Sequence, residues 1–300
     1  SFEPEYVTSL SGHKVMAPIQ TCPTDSSKHM STVYGILTGE STDCEETPLA
    51  MNTSSRFDVG RNFANKFWNA SRFALMNISS PAEHVPLDEL LSVDQWMLHR
   101  VAIAIEQMNE ALSKYQFSVA AETMYDLLWR DFCDWYLEAI KPTVKDSPAQ
   151  QRVLHTVLDV ICRLLHPICP FVTEAMWAHI HSIPSGSVGD LKLPVCELVA
   201  TAKWPSIDGM ILDTEAIASF EKLQELVSAI RVTRANQNVK PKREIELIVP
   251  ATLYTLASSH DEVLSALAGL KNMTESSESS VGVAVPFDGE TIFLANLFDE

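Results

Sequence analysis

The sequence predicts a mainly α-helical fold: an antiparallel bundle of long helices followed by a small C-terminal α/β subdomain. Three observations predict it. From Ser54 onward, apolar residues recur every three or four positions through long segments. Prolines gather at the ends and breaks of those segments, because inside a helix each removes a donor and clashes with the preceding turn. After Pro241 the repeat shortens to two, the period of a strand. A chain of 300 residues that is 46% apolar has material for one large core or two modest ones.

Residues 1–53 are rich in Ser, Thr, Pro and Gly and lack sustained periodicity. They read as a loop-rich junction or insertion with one or two short strands, around residues 14–19 and 32–37. Ser54 or Ser55 then caps a helix that runs through Phe57, Phe63, Phe67, Trp68, Phe73 and Met76, with no Pro until Pro81. A second helix follows Ser92 through Trp96, Val101, Ile105, Met108 and Leu112. The third spans residues 118–140 and stops before Pro142. The fourth opens at Ser147-Pro148, with Pro suited to a first helical position. His166-Pro167-Ile168-Cys169-Pro170-Phe171 breaks it, and helix resumes through Met176, Trp177 and Ile180. Residues 54–182 thus form the bundle, and residues 183–210, rich in Gly, Pro and Ser, a linker or loop. Residues 211–300 hold the last bundle helix, from Asp213 to Asn236, and the α/β subdomain. That subdomain reads as a strand over 244–249, a helix over about 259–270, and strands near 281–286 and 291–294. Asp288-Gly289 between the last two is a hairpin signal.

The formal net charge is −17, so the chain as a whole repels a polyanion. Its local balance differs. Between residues 55 and 78, Arg56, Arg61, Lys66 and Arg72 stand against Asp58 alone. Residues 231–243 hold Arg231, Arg234, Lys240, Lys242 and Arg243 and no acid. Two basic stripes are compatible with a confined nucleic-acid contact, although a solvated face has the same composition. No apolar run reaches the roughly 18–20 residues of a membrane helix. The opening Ser-Phe-Glu-Pro-Glu has no basic-then-apolar leader. No membrane contact and a cytoplasmic location are expected. The chain opens without Met and stops after Phe298-Asp299-Glu300, so a fragment of a longer protein is expected. The six cysteines (Cys22, Cys44, Cys133, Cys162, Cys169, Cys196) show no Cys-x-x-Cys spacing and are expected to be reduced.

Signatures of a reaction centre are missing: Gly-x-Gly-x-x-Gly, the Walker loop, His-Glu-x-x-His and Gly-x-Ser-x-Gly. The nine histidines are scattered, and no carboxylate pair is placed by spacing. Cys22 and Cys44 each lack a near partner for a zinc knuckle. No catalytic residue and no metal ligand is assigned, and no cofactor is expected in this chain.

The helices carry a resemblance. Gly60-Arg61-Asn62-Phe63-Ala64-Asn65-Lys66-Phe67-Trp68-Asn69-Ala70-Ser71-Arg72-Phe73 closely resembles the first anticodon-domain helix of valine–tRNA ligases, a family of class I aminoacyl-tRNA synthetases. Phe132-Cys133-Asp134-Trp135-Tyr136-Leu137-Glu138 with Lys141-Pro142 resembles the family's next signature. Leu164-Leu165-His166-Pro167-Ile168-Cys169-Pro170-Phe171-Val172-Thr173-Glu174 resembles a third, shared with the leucine and isoleucine enzymes. Ile230-Arg231-Val232-Thr233-Arg234-Ala235 and Ile292-Phe293-Leu294 are weaker echoes, in the family's order. The resemblance implies a class I synthetase anticodon-binding domain and the start of the C-terminal α/β segment. It implies tRNA (valine isoacceptors) and the catalytic domain of the same polypeptide as partners, in a monomer. The full-length enzyme would use ATP and Mg to attach valine to tRNA.

That chemistry would lie outside this chain. The His-Ile-Gly-His-like and Lys-Met-Ser-Lys-Ser-like signatures of class I ligases are missing, and Lys28-His29-Met30-Ser31 lacks the second Lys. Residues 1–50 match the family poorly. Two alternatives stay open: a leucine- or isoleucine-type synthetase fragment, and a helical protein-interaction module that has lost RNA binding.

Lys66 and Phe73 are seven positions apart, about two turns, and share a helix face. A cation beside an aromatic plate suits an unstacked RNA base, through stacking worth about 1–3 kcal/mol and donors for the base edge. In the resembled family a Lys and a Phe at these positions contact anticodon bases. That role is carried to Lys66 and Phe73, with Arg61 and Asn69 flanking. The competing reading is a buried Phe73 and a solvated Lys66. Arg231 and Arg234 are expected to touch phosphates, which position without reading sequence. Trp135, Tyr136, Leu165 and Phe171 have core spacing and are expected to pack.

Overall fold

The computed structural model describes residues 6–8, 14–16, 19–21, 29–31, 55–191, 193–206, 211–240, 242–276 and 282–298, with side chains from residue 58 onward. The chain divides into two compact units, Ser1–Asn65 and Lys66–Glu300, and the boundary falls inside the first long helix instead of before it. In the first unit β1 (Tyr6–Thr8) pairs antiparallel with β2 (Lys14–Met16), and β3 (Ile19–Thr21) with β4 (His29–Ser31). Strands thus occur near residues 14–19; the strand read over 32–37 lies outside the described residues. Helix α1 (Ser55–Asn77) starts in this unit.

The second unit holds the bundle. Its helices are the later part of α1, α2 (Ser92–Ser113), α3 (Phe117–Tyr125), α4 (Leu137–Ile140), α5 (Pro148–Leu165), α6 (Pro170–Ile180) and α7 (Thr214–Asn236). Side chains cap two of these helices, and the cap expected at Ser54 or Ser55 lies outside the described side chains. The Ser147 side chain accepts from the Gln150 amide, and the Asp213 side chain accepts from the amides of Glu215 and Ala216. Between α3 and α4 the backbone adopts π-helical turns over Asp126–Tyr136. The segment read as one α-helix over 118–140 therefore changes register partway.

Helix α5 is the axis of the core, buried from Gln150 to Leu165. Most of its buried polar groups are paired. Arg152 donates to the carbonyls of Ala82 and Pro184, and Arg163 binds Asp159 and donates to the carbonyls of Pro194 and Lys203. These two arginines fasten the stretch read as a linker against the helix. Within that stretch β6 (Ser187–Val188) pairs parallel with β5 (His84–Val85). Gly186 permits the approach, since a Cβ there would collide with the Glu83 carbonyl and the Arg152 guanidinium.

The α/β subdomain follows α7. Strand β7 (Ile245–Val249) leads through α8 (Ala251–Ser259) and α9 (Asp261–Ala268) to β8 (Leu270–Glu275), which lies parallel to it. β9 (Val283–Phe287) and β10 (Glu290–Ala295) close the sheet in the order β8-β7-β10-β9. Asp288 and Gly289 have φ of 51° and 75°, as a type I′ hairpin turn requires. The helix expected over about 259–270 is α9, which ends before Leu270 because that residue already lies in a strand; α8, ahead of it, was not read from the sequence. Gly269, at φ 67°, takes the left-handed conformation that ends α9 and releases the chain into β8.

Candidate nucleic-acid interface

Helix α1 buries Phe67, Ala70, Ser71 and Ala74, and that choice sets its other side. Asn69 and Arg72 are exposed, while Lys66 and Phe73 are half-buried along the rim. Both rim residues face the π-helical turns and their continuation. The Lys66 ammonium lies 4.8 Å from the centroid of the Trp129 ring and 3.2 Å from Asp134 Oδ1. Tyr125 stacks on the same indole, with centroids 5.4 Å apart and planes 13° apart. The Lys141 ammonium stands 5.5 Å from the centroid of the Phe73 ring and also pairs with Glu138.

The π register creates this arrangement. Its i→i+5 hydrogen bonds widen each turn, so that residues five apart lie much closer to one face than in an α-helix. Trp129 and Asp134 are five apart and share Lys66. In an α-helix of 3.6 residues per turn they would point about 140° apart. Burial pushes the thiol of Cys133 up to about 12, so it stays protonated beside the Lys66–Asp134 pair.

Arg61, in the first unit, pairs with Asp58 at 2.8 Å. Arg231 lies over Trp135, 5.4 Å from the ring centroid, and donates to the Leu267 carbonyl. Arg234 donates to the carbonyls of Ala268, Gly269, Lys240 and Arg243, binding α7 to the subdomain. Arg243 likewise donates to the carbonyls of Asn296 and Phe298. Much of the second basic stripe is engaged in holding the fold. Tyr136 and Leu165 are fully buried as their spacing predicts, but Phe171 is 91% exposed, which corrects its expected place in the core. Helix α6 buries Thr173, Met176, Trp177 and Ile180, and Phe171 is out of phase with that face.

Sequence spacing missed Trp129, Asp134 and Lys141 as partners of the rim. Asp134 and Lys141 stand inside a quoted signature, but nothing in their own spacing aims them at α1. The rim offers ammonium donors, aromatic plates and the carboxylates of Asp134 and Glu138, the equipment to hold a planar polar ligand. Among the described residues no group of three His, Cys, Asp or Glu is placed to hold a metal ion. Among them, too, no helix is long and apolar enough to cross a membrane. Cys133, Cys162, Cys169 and Cys196 are free thiols, and Cys22 and Cys44 lie outside the described side chains.

Residues 94–249 match the family described as the anticodon-binding domain of tRNA ligase. A valine–tRNA ligase of Thermotoga maritima is 36% identical over 239 residues, covering 79% of this chain and 26% of that protein. That of Rhodopirellula baltica is 38% identical over 235 residues, 73% of this chain and 22% of its own length. That of Mycolicibacterium paratuberculosis is 35% identical over 239 residues, 78% of this chain and 25% of its own. The chain spans about a quarter of the length of these curated relatives.

Proposed function

We propose a tRNA-holding role for this chain, which belongs to the family of anticodon-binding domains of tRNA ligases. It would grip the anticodon of valine tRNA as part of a valine–tRNA ligase, whose ATP- and Mg-dependent chemistry sits elsewhere in the polypeptide. The observation that carries this reading is the rim of α1, where Lys66 and Phe73 present a cation and an aromatic plate with further cations and rings behind them. Such a surface suits unstacked bases of a single-stranded loop. The names of the relatives support valine as the amino acid. Asn69 flanks the pair on the exposed side, and Arg61 is a candidate contact from the first unit. Arg231 is proposed to touch a phosphate from its seat over Trp135. For Arg234, four carbonyl partners favour a role in holding the fold. A monomeric, cytoplasmic protein completes the reading.

Filter binding tests it. Lys66→Ala and Phe73→Ala should each weaken affinity for valine tRNA by about tenfold, within the 1–3 kcal/mol of a lost base contact, with the helical circular dichroism retained. Unchanged affinity in both variants sinks the site. Competition with leucine and isoleucine tRNAs decides between valine and its sister specificities.

A further inference from the structure

We infer that Asp134 determines what Lys66 accepts, turning an ammonium that would hold any phosphate into a reader of a base edge. The inference rests on the anticodon reading above and adds a specificity-determining residue to it.

A lone lysine is a compact, strongly hydrated point charge, and on a nucleic acid it binds phosphate without regard to sequence. Lys66 is not alone. Asp134 Oδ1 lies 3.2 Å from its ammonium, and the two side chains are 32% and 50% exposed. At that exposure the pair contributes little to stability, so folding does not account for it. Its effect on an incoming ligand is larger. The two charges nearly cancel at a distance, and a phosphate, which carries only acceptors and negative charge, meets the carboxylate as well as the ammonium. A base edge sets acceptors beside N–H donors, and the same pair answers both: Lys66 donates and Asp134 accepts. The Trp129 ring under the ammonium supplies a flat apolar wall along the same side.

The neighbouring charges leave this pair intact. Glu138 is taken by Lys141, and the Cys133 thiol is held protonated by burial. Backbone geometry points the same way. The π-helical run that co-aligns Trp129 with Asp134 is a rare conformation that recurs at functional sites, and here it delivers both partners to one lysine.

The test uses the 300-residue chain, its Asp134→Asn and Asp134→Glu variants, and two tRNAs over a salt series. One is valine tRNA and the other carries an unrelated anticodon. With Asp134→Asn, the unrelated tRNA should bind several-fold tighter and discrimination should fall by about tenfold. The slope of log affinity against log salt should steepen by about 0.7, the signature of one added single-strand phosphate contact. Asp134→Glu should restore both. If Asp134→Asn keeps the wild-type discrimination and slope, or weakens both tRNAs equally, the assignment of Asp134 is overturned while the anticodon reading stands. A wild-type chain that binds neither tRNA overturns both together.

Discussion

Asp94 lies buried on α2 with the Tyr136 hydroxyl donating to its Oδ1 at 2.8 Å, and it forms no ion pair among the described residues. Burial lifts its carboxyl from 3.8 to about 7, against smaller opposing effects from its hydrogen bonds. A raised folded-state value means that the folded chain holds a proton which the unfolded chain has released. The resulting stabilisation is full below the ordinary carboxylate range and is lost as pH rises through about 7. Once Asp94 is ionised, the difference amounts to at most the order of 4 kcal/mol. Asp94→Asn still accepts from Tyr136 and never ionises. Its thermal midpoint should exceed that of the wild type at pH 8, with the two converging toward pH 4. A constant gap across that range contradicts the account.

At the scale of elements, α5 and the segment over 183–206 depend on each other. Asp159 is also buried, and burial pushes its carboxyl up, but hydrogen bonds from His181 and Arg163 outweigh that and leave it below its ordinary value. Removing Arg163 would leave that buried carboxylate with His181 as its partner and free the carbonyls of Pro194 and Lys203. Arg163→Ala should therefore cost about 3–5 kcal/mol in urea unfolding and expose residues 193–206 to early proteolytic cleavage. Unfolding and cleavage like those of the wild type would show that the segment is held by other contacts. None of this anchoring was legible in the sequence, where Arg152 and Arg163 read as ordinary polar positions on a helix. The helices themselves were legible, because Phe67, Met108, Leu158 and their neighbours repeat at the helical period. The π-helical turns were not, since Leu128, Trp129, Phe132 and Tyr136 also satisfy the α-helical period. Strand β8 escaped because Leu270 is buried while most of the residues after it are exposed, as on an edge strand. The candidate site divides in the same way. Lys66 and Phe73 could be paired because one helix carries both, but Asp134 reaches Lys66 across 68 positions of chain.

At the scale of the whole molecule, a chain of net charge −17 cannot hold RNA through a broad electrostatic field. Contact must be confined to the few places where cations and rings outnumber acids, and the rim of α1 against residues 129–141 is the best equipped of these. Affinity should then depend on which bases meet that rim more than on how many phosphates lie nearby. The direct measurement is the affinity of the 300-residue chain for valine tRNA and for the same tRNA with its anticodon bases replaced. Replacement should weaken binding by about tenfold or more, the scale of one or two lost base contacts. Equal affinity for the two would contradict anticodon recognition by this chain.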